Sequence, residues 1–282
     1  MILQKEIRKF AGKWNIPPDT VDKDYVLGHF LATIFNYYGD ELILKGGTSL
    51  RKCYFPNYRF SEDLDFTAKN YDFILENEDL NRVCQRIQGH SGILLYAEKI
   101  EELKFQDKKM GYQVKIRYWG ANHSKSQQPP SPDRWITKIK LEISTAEICL
   151  LPVNYTEIYH PYSDNLFGFQ STVCYQLNEI IAEKLRSLIQ RSYTAPRDYY
   201  DLYHLTNELD DNIWQNIKDL FLQKMEHKNI EYLGPEQLVK KKHIAAVKKA
   251  WQSSIAHQVD QHILPSADRI ITKVRNRIIN HL

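Results

Sequence analysis

The sequence is short of several features, and each shortage excludes a class of protein. No apolar run is long. Ile148-Cys149-Leu150-Leu151 is typical, whereas a membrane-spanning helix needs about 20 consecutive apolar residues. The four cysteines, at 53, 84, 149 and 174, form no CxxC pair. The cysteines support neither a zinc site nor a disulfide framework, and reduced thiols in a cytoplasm are the simplest expectation. The first ten residues, Met1 to Phe10, mix charged and apolar side chains and do not read as a secretory signal. The 18 tyrosines follow no repeat. Net charge is small: 38 Lys+Arg stand against 35 Asp+Glu. That balance alone does not mark a nucleic-acid binder. Neither G-x-x-x-x-G-K-[ST] nor G-x-G-x-x-G occurs.

What is present is ordinary globular material, 43% hydrophobic and 26% charged over 282 residues. The length suits about two domains of roughly 150 residues. Helical spacing runs through residues 21–38, after a Pro17-Pro18-Asp19-Thr20 start signal. Leu42-Ile43-Leu44 suits a buried strand, residues 49–55 one or two helical turns, residues 60–67 a second strand, and residues 75–89 a helix. Residues 111–118 and 136–144 read as a strand pair around an exposed, mobile, proline-bearing loop from Gly120 to Pro132. From Val173 onward the pattern is helical, with Leu238, Ala245 and Ala246 on one stripe. The expected organisation is an α/β (α+β) domain over residues 1–165 and an all-helical domain over residues 166–282.

The chemistry concentrates in Lys45-Gly46-Gly47-Thr48-Ser49-Leu50 and, ten residues on, Ser61-Glu62-Asp63-Leu64-Asp65-Phe66. Side chains alternate along a strand, so Asp63 and Asp65 share one face, about 7 Å apart, while Leu64 and Phe66 take the other. Two carboxylates that close repel, and a hard cation such as Mg²⁺ relieves the repulsion. A strand, two glycines and a helix start present backbone N–H groups that a phosphate can approach. Thr48 and Ser49 are expected to add hydroxyl bonds. A triphosphate at one turn and a metal on the next strand are what transfer of a nucleotidyl group requires. In Lys138-Ile139-Lys140-Leu141-Glu142-Ile143, Glu142 lies on the polar strand face. It either completes the metal site or forms a Lys–Glu pair on a solvated surface.

A second cluster lies downstream. Lys184, Ser187 and Arg191 share a helix face, and Arg197-Asp198-Tyr199-Tyr200-Asp201 opens the next helix after Pro196. Lys184, Arg191 and Arg197 suit a triphosphate or departing pyrophosphate, and Asp198 or Asp201 could hold those cations or act directly. A surface helix laced with ion pairs has the same spacing.

Lys23-Asp24-Tyr25-Val26, LKGGTSLRKCYF, YRFSEDLDF and AEKLRSL followed by PRDYYDLYHL closely resemble the AbiEii nucleotidyltransferase-like toxins of type IV toxin–antitoxin and abortive-infection systems. The resemblance spans roughly residues 20–205. It implies a nucleotidyltransferase fold, similar to DNA polymerase β and the tRNA CCA-adding enzymes, followed by a helical domain. Its GG-x10-SxDxD motif falls on Gly46, Gly47, Ser61, Asp63 and Asp65, its lysine on Lys184, and its RDxxD element on Arg197, Asp198 and Asp201. It also implies Mg²⁺ and an NTP, addition of nucleotides to the acceptor end of tRNA, a cognate antitoxin, and silencing by phosphorylation at the position of Ser61. The same parts would serve a phosphotransferase, nucleotidylation of a protein or of a small molecule such as an aminoglycoside, or a nucleotide-binding regulator.

Charge distribution adds a weak argument for an RNA acceptor. From Gly234 to Leu282 there are nine Lys+Arg against three Asp+Glu. Lys240, Lys241, Lys242, Lys248 and Lys249, with Trp251, would form a basic helical face for a phosphate backbone, or a solvated surface.

Overall fold

The computed structural model describes residues 1–124, 126–191, 196–207 and 209–282. The chain divides into two compact units, residues 1–149 with 153–175, and residues 150–152 with 176–282.

The first unit begins with α1 (Gln4–Trp14) and α2 (Pro18–Tyr38). Pro18 opens α2 at a position where its missing N–H costs nothing, and Gly39, at φ +59°, follows its end. Val21, Tyr25, Val26, His29, Phe30 and Ile34 are buried as helical spacing predicts, but so are Asp22 and Asp24. This helix is enclosed on all sides rather than amphipathic.

Next come β1 (Leu42–Lys45), α3 (Gly46–Ser49) and a π-helical turn (Leu50–Tyr54), then β2 (Asp63–Ala68) and α4 (Asn77–Ser91). The strands β3 (Leu94–Ala97), β4 (Glu101–Phe105), β5 (Lys108–Trp119), β6 (Lys138–Ser144), β7 (Asn154–Thr156) and β8 (Thr172–Cys174) complete the unit. They form one mixed sheet in the order β3-β5-β6-β2-β1-β8-β7, with β4 beside β5. The pair β1/β2 is antiparallel and β2/β6 is parallel.

Leu64 and Phe66 on β2, and Ile139, Leu141 and Ile143 on β6, are fully buried. They line the face that α2 covers, where the Phe35 and Phe66 rings meet at 5.8 Å. Burying each such side chain contributes about 1.5–3 kcal/mol. The alternate residues are left on the opposite face of the sheet.

The second unit holds α5 (Leu177–Gln190), α6 (Pro196–Leu205), α7 (Asp211–His227), α8 (Lys241–Ile255) and α9 (Ala267–His281). Asp210 and Ser266 cap α7 and α9 through their side chains. Inside, Glu179 and Lys224 pair at 2.9 Å with no exposed surface. Glu179 also accepts the amides of Leu150 and Leu151 at 2.7 and 2.9 Å, which ties that short excursion to this unit.

Three expectations need correction. Residues 172–174 are a strand beside β1, and the helical pattern starts at Leu177. Ala245 and Ala246 are exposed; the buried stripe of α8 is Val247, Trp251 and Ile255. Trp251 therefore packs in the core and is no part of a basic face, although Lys240, Lys241, Lys242, Lys248 and Lys249 are all exposed. In the loop before β6, residues 126–134 are exposed, and Lys125 lies outside the described residues.

Candidate active site

The site begins with strand register. On β2, Asp63 and Asp65 are part-exposed while Leu64 and Phe66 are buried. Lys45 of β1 stands opposite Asp65, and on the other side β6 sets Lys140 opposite Asp63 and Glu142 opposite Asp65. Directly paired residues share a sheet face. Asp63, Asp65 and Glu142 therefore gather on the face away from α2, with Lys45 and Lys140 among them.

The electrostatics follow. Burial, then the charges of Glu142 and Asp63, push the Asp65 carboxyl from its ordinary 3.8 up to about 6, against the opposing pull of Lys45 and Lys140. Lys140 Nζ pairs with Glu142 Oε2 at 2.6 Å. Burial would depress the Lys140 ammonium, but the bond to Glu142 and the three carboxylate charges raise it. Three carboxylates gathered on one sheet face fit a hard divalent cation, whose preferred donors are oxygens. Asp63, Asp65 and Glu142 are the residues that could hold it.

The diglycine corner faces this group. β1 ends at Lys45, and Gly46 takes φ +71°, a left-handed conformation that glycine tolerates. A Cβ on Gly46 would lie 2.7 Å from Asp65 Oδ2. A Cβ on Gly47 would lie 2.7 Å from Arg59 Nη2 and 3.0 Å from Ser61 Oγ. At both glycines the place of a Cβ is thus already taken by a neighbouring side chain, so neither position has room for a larger residue.

The hydroxyls expected to face a phosphate do something else in the structure. Thr48 Oγ1 donates to the Asp63 carbonyl, and Ser49 Oγ donates to the Gly46 carbonyl at 2.8 Å. Both residues are buried. They lock the corner onto β2.

Behind the corner lies a buried charge network. Asp24 Oδ1 accepts from Arg51 Nε and Asp24 Oδ2 from Lys52 Nζ, both at 2.8 Å; Tyr162 adds a hydroxyl bond at 2.9 Å. Burial alone would raise the Asp24 carboxyl. Lys52 and Arg51 outweigh it and hold the group well below the usual carboxylate range. Arg51 Nη1 further donates to the Tyr58 carbonyl at 2.6 Å, and its guanidinium stacks 3.5 Å from the Phe60 ring centroid. Asp24, from the Lys23-Asp24-Tyr25-Val26 motif, therefore fastens the turn after Gly46-Gly47 and the approach to Ser61.

The downstream residues form their own cluster within the second unit. Lys184 Nζ pairs with Asp198 Oδ1 at 3.1 Å and with Asp201 Oδ2 at 2.5 Å. Arg191 pairs with the other Asp198 oxygen. Lys184, Asp198 and Asp201 are buried. Arg197 is half-buried at the start of α6. Both carboxylates thus clamp the lysine.

Spacing identified Asp63, Asp65, Gly46 and Gly47 and left Glu142 as one of two alternatives, the family resemblance added Ser61, and the structure gathers these in the first unit. Spacing did not single out Lys45, Arg59 and Lys140, which stand beside these residues. Lys45 and Lys140 carried a usable signal, since each occupies the polar phase of its strand. Arg59 lies in irregular chain and had none.

A profile of the nucleotidyl transferase AbiEii toxin family, type IV toxin–antitoxin system, matches residues 29–273. No functionally curated protein matches the sequence. Among solved structures, the chain is similar to MenT4, a nucleotidyltransferase toxin from Mycobacterium tuberculosis H37Rv, with a TM-score of 0.70 at 20% identity over 100% of this chain and 91% of that one. It is also similar to a structure described as a nucleotidyltransferase from H. pylori, with a TM-score of 0.53 at 18% identity over 93% and 95% of the two chains. At these identities the structural likeness speaks for the fold. The family match covers most of the chain and takes in both the carboxylate strand and the Lys184 cluster: this chain belongs to the AbiEii nucleotidyltransferase toxin family of type IV toxin–antitoxin systems.

Proposed function

We propose that the enzyme transfers NMP from a magnesium-bound NTP to an RNA acceptor, the 3′ end of tRNA, and that this transfer arrests growth until a cognate antitoxin counters it. The observation that carries the reading is the convergence of Asp63, Asp65 and Glu142 on one sheet face with Gly46 packed against Asp65. Magnesium held by these carboxylates would neutralise the triphosphate and favour in-line displacement. The chain's own residues do the rest. Gly46 and Gly47 admit the phosphates to backbone amides, with Lys45 and Arg59 as nearby cations. Asp65, with Glu142, is assigned to take the proton of the attacking hydroxyl.

Asp198 and Asp201 hold the Lys184 ammonium in place, which supports its role as a preorganised cation for phosphate charge. Arg191 and Arg197 are assigned to the same phosphate chemistry. Ser61 Oγ lies close to Gly47, so a phosphate on it would crowd the diglycine corner, which is the ground for silencing by that modification. The exposed lysines of α8 and its approach favour a polyanionic acceptor over a small molecule.

The test supplies labelled NTPs one at a time with total tRNA and with protein extract, then reads tRNA 3′ ends by mass spectrometry. Extended tRNA with wild type, and none with Asp63→Ala of intact fold, is the expected result. Label in protein, or in neither fraction, overturns the tRNA assignment.

A further inference from the structure

The first unit contains a second cluster of potential ligands, in a different layer from the carboxylates. His29 lies on α2, which covers the opposite face of the sheet, and His160 and Asp164 lie in the crossing between β7 and β8. His29 Nε2 and Asp164 Oδ2 are 3.2 Å apart, as are His160 Nε2 and Asp164 Oδ1. One ligand atom from each residue falls within 4.8 Å of the others. Both imidazole side chains are nearly inaccessible, 7% and 5% exposed, while the carboxylate at 27% leaves one side open to solvent.

We propose that His29, His160 and Asp164 form a zinc-type transition-metal site that pins the β7–β8 crossing to α2. The donor set sorts the cation. Two imidazole nitrogens with one carboxylate oxygen suit Zn²⁺ or Co²⁺, whereas Mg²⁺ selects oxygen alone and belongs with Asp63, Asp65 and Glu142. Ligating carboxylates are commonly oriented by an outer hydrogen bond. Tyr25 supplies it here, donating its hydroxyl to Asp164 Oδ2 at 2.7 Å.

The seat for His160 is built into α2. A Cβ on Gly28 would lie 2.6 Å from His160 Nδ1. Glycine is a poor helix former, and at this position it is what lets the ring reach the cluster. The metal would bridge two segments that are already joined nearby, since Tyr162 OH bonds Asp24 and Asn36 Nδ2 bonds the Phe167 carbonyl.

The full-length protein, stripped with chelator and then given ZnCl₂, is passed through gel filtration and assayed for zinc by mass spectrometry. One zinc per chain is expected in wild type and in Asp63→Ala, with loss in His160→Gln, Asp164→Asn and Gly28→Ala. Added zinc should raise the melting temperature of the first two proteins and not of the other three. Because a variant could misfold, wild type is also loaded with Co²⁺. Its visible spectrum should show the intense bands of a four-coordinate nitrogen–oxygen site. No retained zinc in wild type, equal zinc in the ligand variants, or a weak octahedral cobalt spectrum overturns the proposal and leaves the three residues as a hydrogen-bonded clasp.

Discussion

Asp65→Asn should make the metal-free enzyme more stable while abolishing transfer. In the folded protein, burial and then the Glu142 and Asp63 charges raise the Asp65 carboxyl from 3.8 to about 6. At 1.36 kcal/mol per pH unit, its charged form is disfavoured by roughly 3 kcal/mol relative to the unfolded chain. The sign follows from the direction of the shift. The folded state binds the proton more tightly, so wild type loses this amount as pH rises from about 4 through 6 and carries the full penalty at pH 8. Asparagine keeps the shape and removes the charge. A domain of this size gains about 2–4 °C per kcal/mol, which sets a ceiling of roughly 6–12 °C on the gain.

The assay is thermal unfolding of both proteins in EDTA at pH 5 and pH 8, repeated with MgCl₂. Asp65→Asn should melt above wild type at pH 8, and the gap should narrow at pH 5, where Asp65 is largely protonated. Mg²⁺ should raise wild type more than the variant. A variant that melts at or below wild type at pH 8, with the same gap at pH 5, would refute the idea that Asp65 is held against its charge by its neighbours.

Three further perturbations probe the surrounding structure. Gly46→Ala forces a side chain into a left-handed backbone and against Asp65 Oδ2; it should cost about 1–3 kcal/mol in urea melts and at least roughly tenfold in transfer rate. Asp24→Asn leaves Arg51 and Lys52 without their buried anion. Removing one partner of a buried pair costs about 3–5 kcal/mol, so urea unfolding should shift by that order, and an unshifted midpoint would contradict the network. Replacing Lys241, Lys242 and Lys249 with glutamate should weaken tRNA binding and reduce the slope of log affinity against log salt by about one for each phosphate no longer neutralised, leaving the melting temperature within a few degrees. Unchanged affinity across salt would remove α8 from the RNA surface.

Local periodicity made much of this protein legible. Alternation along Asp63-Leu64-Asp65-Phe66 was enough to put two carboxylates on one face, because a strand repeats every two residues wherever it lies in a fold. Helical spacing likewise revealed α2, α5 and α7. Where periodicity was weak, the elements were missed. β7 and β8 have three residues each, and β4, with Glu101, Glu102 and Lys104 exposed at the sheet edge, looks like loop. The α8 stripe was misplaced because Ala245 and Ala246 are small enough to sit on either face, whereas Trp251 is driven inward by its area.

Sequence alone determined which residue types share a strand or helix face, and so the acid pair, the glycine turn and the family motif. Tertiary structure decided how distant strands align: Glu142 beside Asp65, Lys140 beside Asp63, Asp65 against Gly46, and His29 beside His160 and Asp164. The physical reason is that a strand's own alternation sets a side chain's face, while its lateral neighbour depends on register, which only the packing of the whole sheet and its covering helices selects.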